Sequence, residues 1–84
     1  MKIPTFAKLL EIINQQLVNH LIREEDVDLP LNKAGLDSIG FIQVIVAIEE
    51  EFGCEIPDSK LIFSELDTAK KIYMLLCSLA EEEP

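Results

Sequence analysis

Residues 38–52 read Ser38-Ile39-Gly40-Phe41-Ile42-Gln43-Val44-Ile45-Val46-Ala47-Ile48-Glu49-Glu50-Glu51-Phe52, and this stretch decides how the chain folds. Laid out at about 100° per residue, Phe41, Ile45, Ile48 and Phe52 form one stripe, the buried face of an amphipathic helix. A second stripe about a quarter turn away holds Ile39, Ile42 and Val46 and runs on into Glu49 and Glu50. One helix of a small bundle seldom buries two stripes. Ile39 and Val46 are therefore expected at the surface as the apolar centre of a contact patch. Ile42 either joins that patch or is covered by a loop or a short helix. Gly53 closes the helix as a left-handed cap.

On the N-terminal side, Phe6, Leu9, Leu10, Ile13, Leu17 and Leu21 recur at spacings of three and four, which predicts a first helix over about residues 5–22 with Pro4 suited to its first turn. Residues 23–37 lose the periodicity and read as a long loop, in which Leu29, Leu31 and Leu36 anchor the chain to the core. On the C-terminal side, Pro57 and Asp58 start a short third helix over 57–63. Asp67 or Thr68 caps a last helix over 68–80 that turns Ala69, Ile72, Leu76 and Leu79 inward. Glu81, Glu82, Glu83 and Pro84 form a solvated tail. The expected fold is all-α: one domain over 1–84, a small four-helix bundle of three main helices and a short third one.

With 84 residues there is room for one core, which supplies only about 3–5 kcal/mol of net stability and favours a binding or carrying module over a deep catalytic cleft. A formal charge of −9 opposes the counterion release that drives nucleic-acid binding, disfavours anionic membranes and steers basic partners towards the chain. The 49% hydrophobic content exceeds that of a disordered acidic tail. No stretch approaches the roughly 20 apolar residues of a membrane span, and no secretory apolar region opens the chain. Cys54 and Cys77 have neither zinc-site nor disulfide-framework spacing, so the expectation is a cytoplasmic monomer with reduced thiols.

The candidate chemistry sits at the start of the central helix. In the run Gly35-Leu36-Asp37-Ser38-Ile39, either Asp37 or Ser38 serves as an N-cap. A hydroxyl there is also well placed to bear a phosphate, because free N–H groups and the positive dipole end favour an anion. His20, assigned to the first helix, has no route to Ser38 as a general base, so no nucleophilic triad can be assembled and no catalytic residue is assigned. At the far end, Glu49, Glu50 and Glu51 occupy a last turn where the macrodipole disfavours anions by about 0.3–1 kcal/mol each. Beside an exposed apolar stripe, that broken rule reads as a docking edge for basic partners. Asp26 and Asp28 have the alternate spacing of calcium ligands, but Pro30 and the missing central glycine spoil the loop; no metal site is assigned.

The run from Gly35 to Ile39, followed by Val44-Ile45-Val46-Ala47-Ile48-Glu49-Glu50-Glu51-Phe52 and by Glu55-Ile56-Pro57-Asp58, resembles the acyl carrier protein family, whose Asp-Ser-Leu motif here reads Asp37-Ser38-Ile39. The resemblance implies a small acidic four-helix bundle with 4′-phosphopantetheine attached to Ser38 by a separate magnesium-dependent phosphopantetheinyl transferase. The arm's thiol would hold acyl or aminoacyl groups as thioesters. Asp37, Ile39, Val46, Glu49 and Glu50 would face the transferase, the acyl- or aminoacyl-loading enzyme and synthases with basic docking patches, with Ile42 beside them. In some members the bundle also shelters the acyl chain, which here would lie among Ile45, Ile48 and Leu76.

Carriers of bacterial fatty acid synthesis typically have acidic residues two and five positions after the serine, where this chain has Gly40 and Gln43. That difference points to a dedicated polyketide, nonribosomal peptide or D-alanyl system, and Gly-Leu-Asp-Ser before the arm tilts towards an acyl or polyketide type. The alternatives are a peptidyl or D-alanyl carrier within the class, and outside it an unmodified helical adaptor that kept the bundle and lost the arm.

Overall fold

The computed structural model describes residues 2–17 and 21–82. Three α-helices form: α1 (Phe6–Asn14), α2 (Ser38–Phe52) and α3 (Ala69–Glu82), with 3₁₀ turns at Glu24–Asp26 and Asp58–Lys60. The architecture is all-helical, with no strand among the described residues. The short third helix expected over 57–63 shrinks to the single turn Asp58–Lys60. Pro57, at φ −60° and ψ 138°, enters that turn from extended backbone, and Leu61 leaves the helical region at φ −90° and ψ 63°.

The central helix follows its sequence pattern closely. Phe41, Ile45, Ile48 and Phe52 are buried, joined by Val44 from the adjacent position. Gly53 adopts φ +65°, and its N–H donates to the Glu49 carbonyl, the left-handed stop expected of a glycine at that position.

α1 is a correction. The periodic pattern runs to Leu21, yet the helix ends at Asn14, and Leu21 is exposed while Ile22 is buried. The Asn14 side chain explains the stop: its Oδ1 accepts the Ile22 N–H at 2.9 Å and its Nδ2 donates to the Ile22 carbonyl at 3.0 Å. The exit tightens through Gln16 N–H to Ile13 and Leu17 N–H to Asn14. A non-local clamp thus competes with the next helical turn and wins. His20, assigned to this helix from sequence, lies outside the described residues. Pro4 stands before the helix, not in its first turn; Thr5 is the cap, its hydroxyl accepting the Lys8 N–H at 3.3 Å.

The long loop is tied to the start of α3. The Lys70 N–H, one of the first-turn donors without an intrahelical acceptor, donates to the Val27 carbonyl at 3.1 Å, and the Leu31 N–H donates to the Asp67 carbonyl at 2.7 Å. The Thr68 hydroxyl accepts the Lys71 N–H, which makes Thr68 the cap of α3. Leu31 and Leu36 are buried and Leu29 packs against the core from its edge, so the apolar loop residues act as anchors. These ties deliver Asp37 to a fixed place at the start of α2.

Candidate functional site

Asp37 and Ser38 divide the work that either was eligible to do. Asp37, in extended backbone at φ −97°, is the N-cap: its Oδ1 accepts the Gly40 N–H at 2.7 Å and its carbonyl accepts the Phe41 N–H at 2.8 Å. Ser38 is the first helical residue, is exposed, and its side chain has no hydrogen-bond partner among the described residues. Its hydroxyl is therefore not committed to the fold. The amides of Ser38 and Ile39 precede any intrahelical acceptor and point with the positive end of the helix dipole, which suits a phosphoester at this position.

Gly40 completes the first turn, a role that the sequence pattern does not single out. A Cβ there would lie 2.8 Å from Leu36 Cδ1 and 3.2 Å from the Asp37 carboxylate. The absent side chain lets Leu36 fold back over the helix start and bury itself. The only hint in sequence is a glycine inside an otherwise strongly helical run.

The proposed recognition stripe is outside, as its position predicted. Ile39 is 69%, Ile42 53% and Val46 46% exposed, so Ile42 joins the patch and is not covered. Gln43 and Glu50 are exposed on the same helix.

The three glutamates do not act alike. Glu49 is half-buried and its carboxylate accepts the Ile56 N–H at 2.8 Å, fastening the strand of chain that leaves the helix. Glu51 pairs with Lys8 of α1 at 3.2 Å. Hydrogen bonds first to Glu51 and then to Glu11 push the Lys8 ammonium above its ordinary pKa. Glu50 lines a cleft of about 220 Å³ between α1 and the C-terminal half of α2, with Lys8 and Glu11 on the opposite, α1 wall. The dipole rule is broken at this end, but Glu49 and Glu51 each have a partner within the fold.

No group of three or more potential metal ligands gathers among the described residues. Asp26, half of the calcium spacing, accepts the Arg23 N–H at 2.9 Å to close the first 3₁₀ turn.

Comparison with known proteins settles the class. Residues 5–76 match the family described as phosphopantetheine attachment site. The chain belongs to the acyl carrier protein family. This carrier is 30% identical over 66 residues to the D-alanyl carrier protein of Abiotrophia defectiva, an alignment that covers 77% of the chain and 82% of that relative. It is 50% identical over 56 residues to the acyl carrier proteins of Rhodopseudomonas palustris strain TIE-1 and of Nitrobacter winogradskyi, covering 62% of the chain and 71% of each relative. No solved structure matches with comparable strength. The carrier's prosthetic group is covalently bound 4′-phosphopantetheine, and an exposed hydroxyl at a helix start, without a partner among the described residues, fits such a group. No helix of the described residues is long and apolar enough to cross a membrane.

Proposed function

We propose that Ser38 carries the phosphopantetheine and that the protein presents acyl or aminoacyl groups, held as thioesters, to the enzymes of a dedicated biosynthetic pathway in the cytoplasm. The observation that carries this reading is the division of labour at the helix start: Asp37 takes the capping duty, and the adjacent hydroxyl stays exposed and unbonded. The arm supplies a thiol whose thioester keeps the acyl carbon electrophilic. The chain supplies an address. Ile39, Ile42 and Val46 are its apolar anchors, with Asp37 and Glu50 as outward charges that steer a basic partner. Glu49 contributes at the edge of the same surface while holding Ile56.

Two features bear on the cargo. Gly40 and Gln43 thin the acidic edge beside the serine, which supports a pathway other than housekeeping fatty acid synthesis. The D-alanyl relative, matched over most of its length, supports an aminoacyl cargo as the second reading.

Intact mass after incubation with a promiscuous phosphopantetheinyl transferase and coenzyme A tests the assignment. The expected result is a gain of roughly 340 Da, the increment of a phosphate-linked arm, that disappears in Ser38→Ala. A gain retained by the variant overturns Ser38 as the attachment point, and no gain in the wild type overturns the arm and leaves the unmodified adaptor as the surviving reading.

A further inference from the structure

The outward face of α3 carries its charges in a segregated order. At about 100° per residue, Lys70, Lys71, Met74, Ser78, Glu81 and Glu82 fall within roughly 120° of arc, opposite the stripe of Ala69, Ile72 and Leu76 that the core buries. All but the half-buried Ser78 are exposed, Met74 by 60%. Cations thus stand in the first turn and anions in the last, with an uncharged step between them. Both ends oppose the helix dipole, which favours anions at the start and cations at the finish.

Partners within the fold account for only one of these charges. Lys71 pairs with Asp67 at 2.8 Å. The side chains of Lys70, Glu81 and Glu82 have no partner among the described residues. Lys60, exposed in the second 3₁₀ turn and likewise without a partner for its ammonium, shares an open cleft of about 330 Å³ with Leu66, Lys71, Met74 and Leu75. Three of the chain's seven basic residues therefore gather at the start of α3, against the acids Glu65 and Asp67. In a chain of formal charge −9, this end is locally positive.

Such a face complements itself only when reversed. Lys71 and Glu82 stand about 16 Å apart along the helix axis, too far to meet within one chain. A second α3 laid antiparallel brings its Glu81 and Glu82 against Lys70 and Lys71, and the two-fold axis repeats the contact at the other end. Met74 then faces the Ser78 position of the second copy. A parallel pair would oppose like charges. The antiparallel pair also sets the anions of one copy at the positive dipole end of the other, which corrects the misfit at both ends. α3 has 14 residues, so the face is about 21 Å long and falls short of the roughly 800 Å² per partner of a stable complex. The association is therefore weak and reversible.

We propose that the outward face of α3 docks a second copy of this chain, antiparallel, with Lys70 and Lys71 of each copy against Glu81 and Glu82 of the other. This departs from the monomer expected from composition. It uses none of the α2 patch and stands apart from the assignment of the arm to Ser38. The test is sedimentation of the full chain from about 10 µM to 1 mM, the range of a weak association. Reducing conditions exclude disulfides, and about 0.15 M salt screens the long-range repulsion between two acidic chains. The expected result is a mean mass that climbs towards twice the monomer with concentration. Lys70→Glu/Lys71→Glu and Glu81→Lys/Glu82→Lys chains each lose self-association, and mixing the two restores it as a heterodimer. Carbodiimide coupling of a ¹⁴N/¹⁵N mixture of the wild-type chain supplies a readout free of variants: the expected cross-links join Lys70 or Lys71 to Glu81 or Glu82 between chains. A chain that stays monomeric across the range, a dimer that persists in both reversed chains, a mixture no more associated than its components, or cross-links that avoid these residues overturns the pairing. A monomer throughout would assign the face to a partner of other chemistry.

Discussion

The two ends of α2 solve opposite problems. At the N-terminus every local preference is met: an acidic cap, free amides and a positive dipole end, with the Ser38 hydroxyl left without a partner among the described residues. At the C-terminus three glutamates face the negative dipole end, and the structure offsets this with contacts from elsewhere, Ile56 for Glu49 and Lys8 for Glu51. The first end is built from residues adjacent in sequence. The second depends on the tertiary fold. An unfavourable local choice is thus not by itself a sign of function; its internal partners must be counted first.

The largest effect that distinguishes the ends is all-or-none. Ser38→Ala is expected to abolish phosphopantetheinylation with no loss of thermal midpoint, since its hydroxyl supports nothing in the fold, whereas Glu49→Ala keeps the mass gain and loses stability. For Glu49→Ala we expect a cost of about 1–2 kcal/mol, the loss of a charge-assisted hydrogen bond partly offset by relief from the dipole. Glu49→Gln, which keeps an acceptor for the Ile56 N–H, is expected to lie near wild type. Urea denaturation of the pair checks this, and equal stability for the two variants would break the contrast. Next in size, Asp37→Ala removes the cap at a cost of about 1 kcal/mol, while Asp37→Asn retains most of it.

A kinetic prediction sharpens the outward role of the remaining charges. Association with the transferase should slow as ionic strength rises past about 0.15 M, where the Debye length is about 8 Å. Glu50→Gln should flatten that dependence more than Glu51→Gln, because Glu51 is already paired with Lys8. The smallest effect concerns pH. A hydrogen bond from Lys71 holds the Asp67 carboxyl below the usual carboxylate range, so its contribution is present above that range and fades as pH falls through the depressed value. Lys8 is raised, so its contribution is present below the ordinary lysine range and fades as pH rises through the raised value. Thermal midpoints of Lys71→Met against wild type should therefore converge in acid, and those of Lys8→Met should converge with wild type in strong base.

The central helix was legible because its information is local. The stripe of Phe41, Ile45, Ile48 and Phe52 needs only helical periodicity, and the Gly53 stop needs only the freedom of a glycine at positive φ. α1 misled for the same reason. Leu17 and Leu21 continue the helical spacing, but Asn14 clamps Ile22 and ends the helix there, a contact across eight residues that no periodicity reveals. The short third helix failed likewise: Pro57 and Asp58 begin a turn, and nothing in the residues after them says that one turn is all that forms. At the site, Asp37 and Ser38 were both eligible caps, and only the 2.7 Å bond from Gly40 to Asp37 decides between them.

From sequence alone came the family, the central helix with its two stripes and the hydroxyl at its start, because each is written in residues within a turn or two of one another. Tertiary packing alone decided where α1 ends, which glutamates stay outward, and that Phe63 meets Phe41 across the loop. Those outcomes depend on which distant group arrives to satisfy a given donor or fill a given gap, and that is set only when the whole chain closes around its core.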